Sequence, residues 1–239
     1  MRLPKIWEDF LSAFFNLPHF YNYLDGFLKG KEFLTPKREL IFNVFNYVKP
    51  ADVRCVLFGE DPYPRVSSAN GVAFWDKEIR SWKDKTNGNA LKNILKALLV
   101  SEGIAEYATT INECRQIAEQ NLIHSPPKLF ELWLGQGVLL VNSALTFTSF
   151  HDKNTHFALW RPFHLALIAA LNSREENPFY ILWGNKAQQW EETILKSIDN
   201  PRKIIKQGHP TFIHQFLRKD QPDYSPFDEI KDKTGLRWL

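Results

Sequence analysis

Val53-Arg54-Cys55-Val56-Leu57-Phe58-Gly59-Glu60-Asp61-Pro62-Tyr63-Pro64 is the stretch that decides the fold. Its first half is a near-continuous apolar run, as expected of a strand buried on both faces of a parallel sheet. Its second half turns abruptly to glycine, carboxylates and prolines. Three later runs end in the same way. The apolar stretch from Gly137 to Val141 gives way to Asn142-Ser143, and Phe179 to Trp183 stops at Gly184-Asn185. Lys203 to Ile205 leads into Gly208-His209-Pro210. In open α/β folds the ligand crevice lies outside the carboxyl ends of the strands. Asp61, Asn142 and His209, far apart in the chain, are therefore expected to meet in one cleft.

The segments between these runs carry helical periodicity. Leu91, Ile94, Leu95, Leu98 and Leu99 follow the spacing of an amphipathic helix. Pro126-Pro127 precedes a short helix through Leu129, Phe130 and Trp133, and Ala187, Trp190, Ile194 and Ile198 mark another. Pro162 is expected to start a helix carrying Phe163, Leu167 and Leu171, and Pro36 one carrying Leu40, Ile41, Val44 and Phe45. Strand and helix alternate, which predicts an α/β three-layer αβα sandwich around a mostly parallel four-stranded sheet. Residues 1–239 read as one domain, with residues 1–48 its helical N-terminal part. The irregular stretch from 59 to 89 is long for a compact domain, and such loops are usually functional.

The 239 residues are 44% apolar and 14% aromatic, enough for a sizeable core. No apolar stretch is long enough to span a bilayer, and the N-terminus lacks the apolar segment of a signal peptide. Two cysteines, Cys55 and Cys114, give no disulfide framework. The expectation is a cytoplasmic monomer with no membrane attachment. A net charge of +3 is compatible with a polyanionic partner without requiring one. The histidines show no metal-ligand spacing, and there is no glycine-rich phosphate loop or nucleophile elbow.

Asp61-Pro62-Tyr63-Pro64 is stiff, because each proline fixes its own φ and restricts its predecessor. Such a segment can hold a carboxylate and a phenol in place, yet Asp-Pro is also an ordinary turn dipeptide. Phe74, just after Gly71, is placed either to stack on a planar ligand or to join the core. Asn142 ends an apolar strand. Its amide presents a donor beside an acceptor, as a nucleobase edge requires, and would serve equally to tie down a loop.

As an ordered set these residues resemble uracil-DNA glycosylase of the family 1 type. That family carries Gly-Gln-Asp-Pro-Tyr-His followed by Gly-Leu-Ala-Phe-Ser. The matching stretches are Gly59-Glu60-Asp61-Pro62-Tyr63-Pro64 and Gly71-Val72-Ala73-Phe74-Trp75. The family's Leu-Leu-Leu-Asn-Thr looks like Leu139-Leu140-Val141-Asn142-Ser143, and its Leu-Trp-Gly like Leu182-Trp183-Gly184. Its His-Pro-Ser-Pro-Leu is similar to His209-Pro210-Thr211-Phe212-Ile213. The resemblance runs in order over about residues 50–220.

The resemblance implies an enzyme that flips uracil out of DNA and hydrolyses its N-glycosidic bond, the first step of base excision repair. Asp61 would stabilise the oxocarbenium-like sugar and position water. His209 would donate to the departing base anion. Glu60, Tyr63, Phe74 and Asn142 would surround the base, Tyr63 excluding a 5-methyl group. Pro64, Gly184, Asn185, Lys186, Thr211, Phe212 and Ile213 would meet the DNA. The loop after His209 would supply a duplex-penetrating residue, Phe212 or Ile213, unless both pack inside the domain. No metal or organic cofactor is implied.

The departures are specific. Glu60 replaces Gln and adds a carboxylate beside Asp61. Pro64 replaces His, as in poxvirus uracil glycosylases, and Asn70 replaces another His. Ser81 to Asn89 is polar where the family has a proline-rich loop. These changes leave two alternatives open: a glycosylase for another damaged or modified pyrimidine, for example in viral DNA, or a catalytically weak DNA-binding homologue.

Overall fold

The computed structural model describes residues 1–84, 88–198 and 200–239. Four strands form the sheet: β1 Cys55–Gly59, β2 Val138–Asn142, β3 Phe179–Trp183 and β4 Ile204–Gln207. Their order is β2-β1-β3-β4 and every pairing is parallel, so the expectation of a mostly parallel sheet is met in full. Nearly every strand residue is buried, which is why the sequence shows apolar runs rather than alternation.

Around the sheet lie α1 Lys5–Leu11, α2 Leu17–Leu28, α3 Asn89–Ser101, α4 Ile111–Gln120, α5 Pro126–Gly135, α6 Lys153–Asn172, α7 Gly184–Gln188, α8 Glu191–Leu195, α9 Ile213–Phe216 and α10 Pro226–Thr234. The two faces of the sheet are covered by different aromatic clusters. Phe58 meets His164 of α6 and stacks on Trp190, while Trp183 packs edge-on against Phe216 and Phe227 of α9 and α10. Beyond α6, Phe20 of α2 contacts Trp160 and Phe163, and Trp7 of α1 contacts Phe45. One contiguous hydrophobic cluster thus joins the N-terminal helices to the sheet, giving helix–sheet–helix layering.

Three details differ from the sequence expectations. Residues 36–48 do not form an α-helix; Arg38–Leu40 and Asn43–Asn46 are short 3-10 turns. Tertiary anchors override the helical periodicity here. Phe42 and Phe45 are pulled into the aromatic cluster, and Asn43 Nδ2 donates to the Asn70 carbonyl at 2.8 Å. Pro162 lies inside α6 rather than at its start. The buried stripe of Leu159, Trp160 and Phe163 continues across it and offsets the lost backbone bond. The helix expected over 187–198 is split into α7 and α8, with Trp190 between them turned inward to Phe58.

β1 is central, and the chain leaves it toward β2 on one side before returning to β3 on the other. The carboxyl end of β1 is therefore the switch point where a crevice forms.

Candidate active site at the carboxyl edge of the sheet

Parallel register aligns the strand ends. Gly59 pairs with Asn142, and Trp183 with Gln207, so the residues that follow all emerge on one edge. A cavity of about 200 Å³ opens there. Its walls include Glu60, Asp61, Tyr63, Pro64, Phe74, Asn142, His209 and Thr211, so most of the residues singled out in the sequence meet in one place.

Gly59 is required by close approach. A Cβ at this position would lie 2.2 Å from Asn142 Oδ1 and 2.8 Å from Ala73 Cβ. The Asn142 amide thus crosses the end of β1 with nothing beneath it but backbone. It is buried and forms no side-chain hydrogen bond among the described residues. Asn142 lines the cavity, and its amide atoms are not among the fully enclosed unpartnered ones, so they are open to a ligand's hydrogen bonds rather than spent on tying down a loop.

Phe74 forms another wall. Its φ is +65°, the left-handed region that a bulky side chain rarely occupies. Two hydrogen bonds flank the strained residue: Ala73 N donates to the Leu140 carbonyl at 3.0 Å, and the Tyr63 hydroxyl donates to the Phe74 carbonyl at 3.0 Å. Burial pushes the Tyr63 phenol up, so it remains a donor. Asn70, where the family has His, braces the loop, since its Oδ1 accepts from Val72 N at 3.0 Å.

His209 sits against Gly184, whose φ of +79° and missing side chain make room; a Cβ there would lie 2.7 Å from His209 Cβ. Thr211 N donates to His209 Nδ1 at 3.1 Å. Nδ1 must then be unprotonated, which leaves the ring proton on Nε2. Burial lowers the imidazole's proton affinity further; Glu60 opposes this and Lys153 reinforces it. The group is a neutral Nε2–H donor.

Asp61 is largely buried, and its surroundings act in opposite directions. Burial is the largest influence and raises its pKa, and Glu60 adds to it; Lys153 and, more weakly, Lys186 oppose this without cancelling it, so the carboxyl stays above its ordinary value. Lys153 Nζ lies 2.8 Å from Glu60 Oε1 and 3.3 Å from Asp61 Oδ2. Glu60 is thus an ion-pair partner rather than an uncompensated carboxylate facing the base. Lys153 was not apparent from the sequence. The signal for it was Glu60 itself, because a second carboxylate at a half-buried strand end needs a cation.

A family model described as the uracil DNA glycosylase superfamily matches residues 45–230. The chain belongs to that superfamily. A uracil-DNA glycosylase of Deinococcus radiodurans is 27% identical over 98% of this chain and 85% of its own length. One from Mycoplasma genitalium is 32% identical over 83% of this chain and 71% of its own. The crystal structure of the UNG of Nitratifractor salsuginis superposes with a TM-score of 0.74 at 25% identity, covering 98% of this chain and 92% of that one.

Within this superfamily member, Pro64 and Thr211 of the residues expected to meet DNA line the cavity, and Gly184, Asn185, Lys186, Phe212 and Ile213 lie outside its lining. Pro64, Asn185 and Lys186 are exposed, whereas Gly184 is buried and serves to accommodate His209. Phe212 is 51% exposed. Ile213 begins α9 and is partly buried against the hydrophobic core, so of the two candidate wedge residues Phe212 is the more exposed.

Proposed function

We propose that this chain is a monofunctional DNA glycosylase, acting as a monomer, that removes uracil from DNA and leaves an abasic site. The observation that carries the reading is the state of the three convergent groups. His209 is a neutral Nε2–H donor, Asp61 is a carboxylate beside a cation, and the Asn142 amide has no side-chain hydrogen bond among the described residues. All three line a cavity with room for one pyrimidine ring.

The chemistry follows from that arrangement. A uracil rotated out of the helix stacks on Phe74, and its edge is read by the Asn142 donor and acceptor. The C1′–N1 bond breaks with its electron pair going to the base. His209 Nε2–H donates to the developing oxyanion without needing to transfer its proton. Asp61 faces the sugar, where positive charge develops, and orients the water that attacks C1′. Preorganised donors of this kind are worth roughly 3–4 kcal/mol each. Tyr63, tied to the Phe74 carbonyl, sets a rigid wall against a 5-methyl group.

The test is release of free uracil from single-stranded and duplex oligonucleotides, with abasic sites scored by alkaline cleavage. Thymine-, cytosine- and modified-cytosine-containing strands run in parallel. Uracil release alone is the expected result. Release confined to a modified pyrimidine would replace this reading with the alternative glycosylase, and no release from any strand would leave only DNA binding.

A further inference from the structure

Lys153 occupies an unusual place for a lysine. It is the first residue of the 20-residue helix α6; Asp152 stands at the cap before it, held by Thr148 and Ser149 and paired with Lys31, and the first turn itself holds no acidic residue. The amino end of a helix disfavours cations by roughly 0.3–1 kcal/mol. The side chain is 28% exposed, so its charge is partly desolvated as well. The start of α6 is nonetheless held firmly. Thr146 Oγ1 and Thr148 Oγ1 each bond a ring nitrogen of His156 at 2.8 Å, and burial pulls that imidazole down to about 4, which keeps it neutral. This anchor fixes where Lys153 emerges. Asp152 at the cap is engaged elsewhere, and the carboxylates that Lys153 itself bridges are Glu60 and Asp61.

We propose that Lys153 is a positioning residue for glycosidic cleavage: it neutralises Glu60, orients the Asp61 carboxylate, and holds Asp61 and His209 in the protonation states the reaction needs. The inference rests on the uracil-glycosylase reading of this site. The groups facing Asp61 are Glu60 beside it, Lys153 from α6 and Lys186 from α7. His209, following β4, feels both Glu60 and Lys153. Glu60 promotes protonation of Asp61 and of His209, and Lys153 opposes both. One cation therefore acts in the productive direction on two groups at once. It also accounts for how a glutamate is tolerated at 60 without disabling Asp61.

The signs give a three-variant test. Removing the cation in Lys153→Met favours the protonated, inactive forms of Asp61 and His209. The acid limb of the single-turnover pH–rate profile should move to higher pH, with a loss of about tenfold near pH 6 that shrinks toward pH 8.5. Lys153→Arg keeps the charge and should recover at least half of the loss. Glu60→Gln combined with Lys153→Met removes the opposing carboxylate and should return the limb toward its original position. The His209 imidazole resonances, followed by NMR without substrate, should titrate at higher pH in Lys153→Met and move back in the double variant. A wild type that fails to release uracil overturns the functional reading. If the wild type is active while the limb and the His209 titration stay unmoved in Lys153→Met, the role assigned to Lys153 is wrong. It is equally wrong if rate is lost at all pH values and the double variant recovers nothing.

Discussion

Gly59→Ala is the smallest change that tests the geometry of the pocket. The added methyl would sit 2.2 Å from Asn142 Oδ1 and 2.8 Å from Ala73 Cβ. Ordinary contact needs more than 3 Å, so the amide oxygen must retreat by roughly 1 Å, and such a misplacement can cost about 10²-fold in rate. Overpacking costs about 1–3 kcal/mol, and the upper half applies: the Asn142 amide can rotate away, but Ala73 Cβ is fixed to its backbone and must shift with it. At roughly 2–4 °C per kcal/mol for a chain of this size, Tm should fall by about 4–12 °C. The assay is single-turnover uracil release at saturating enzyme, paired with a thermal melt followed by circular dichroism. The expected pattern is a rate loss of about 10²-fold with a lowered but still cooperative melt and a fully folded protein at the assay temperature. A native rate would refute the reasoning, because it would mean that Asn142 does not read the base from the position described. A collapse of Tm with a proportionate loss of folded protein would move the effect to the backbone of β1.

Other variants separate the remaining roles. Asp61→Asn should keep the fold and lower base release by about 10²-fold or more, read in single turnover. Tyr63→Ala should admit thymine, and Asn142→Asp should favour cytosine because a carboxylate accepts where the amide donated; release of each base is the readout. Phe212→Ala should impair duplex substrates more than single strands with little change in Tm, since its ring is exposed. Ile213→Ala should instead lower Tm and reduce both activities together, because this side chain packs on the core.

The strand ends were legible because a parallel sheet buried on both faces leaves uninterrupted apolar runs, and each run stops where its chemistry begins. That alone gathered Asp61, Asn142 and His209 at one edge. The helix boundaries were less legible. Pro162 reads as a helix start by local rules, but tertiary packing on both of its sides carries the helix through it. Leu40, Ile41, Val44 and Phe45 read as the apolar positions of one helix; all but Leu40 are buried, while their winding is set by anchors such as Asn43 to Asn70 that no spacing reveals. Gly184, which the resemblance places at the DNA, also makes room for His209, a contact between the segments that follow β3 and β4 and that no spacing reveals. Lys153 escaped because a lysine at a helix start looks like solvated surface until its distances to Glu60 and Asp61 are known.

The left-handed backbone at Phe74 has a consequence for how this protein can be improved or worn down. A non-glycine residue held in such a conformation costs roughly 1–3 kcal/mol. The rest of the molecule carries that load so that one ring can face the cavity. Selection for heat resistance alone would find relief at position 74, where glycine or asparagine accepts the same backbone without strain. Libraries screened only by melting temperature should therefore enrich inactive proteins altered at this residue. Lineages kept under repair pressure should hold an aromatic there despite its thermodynamic burden.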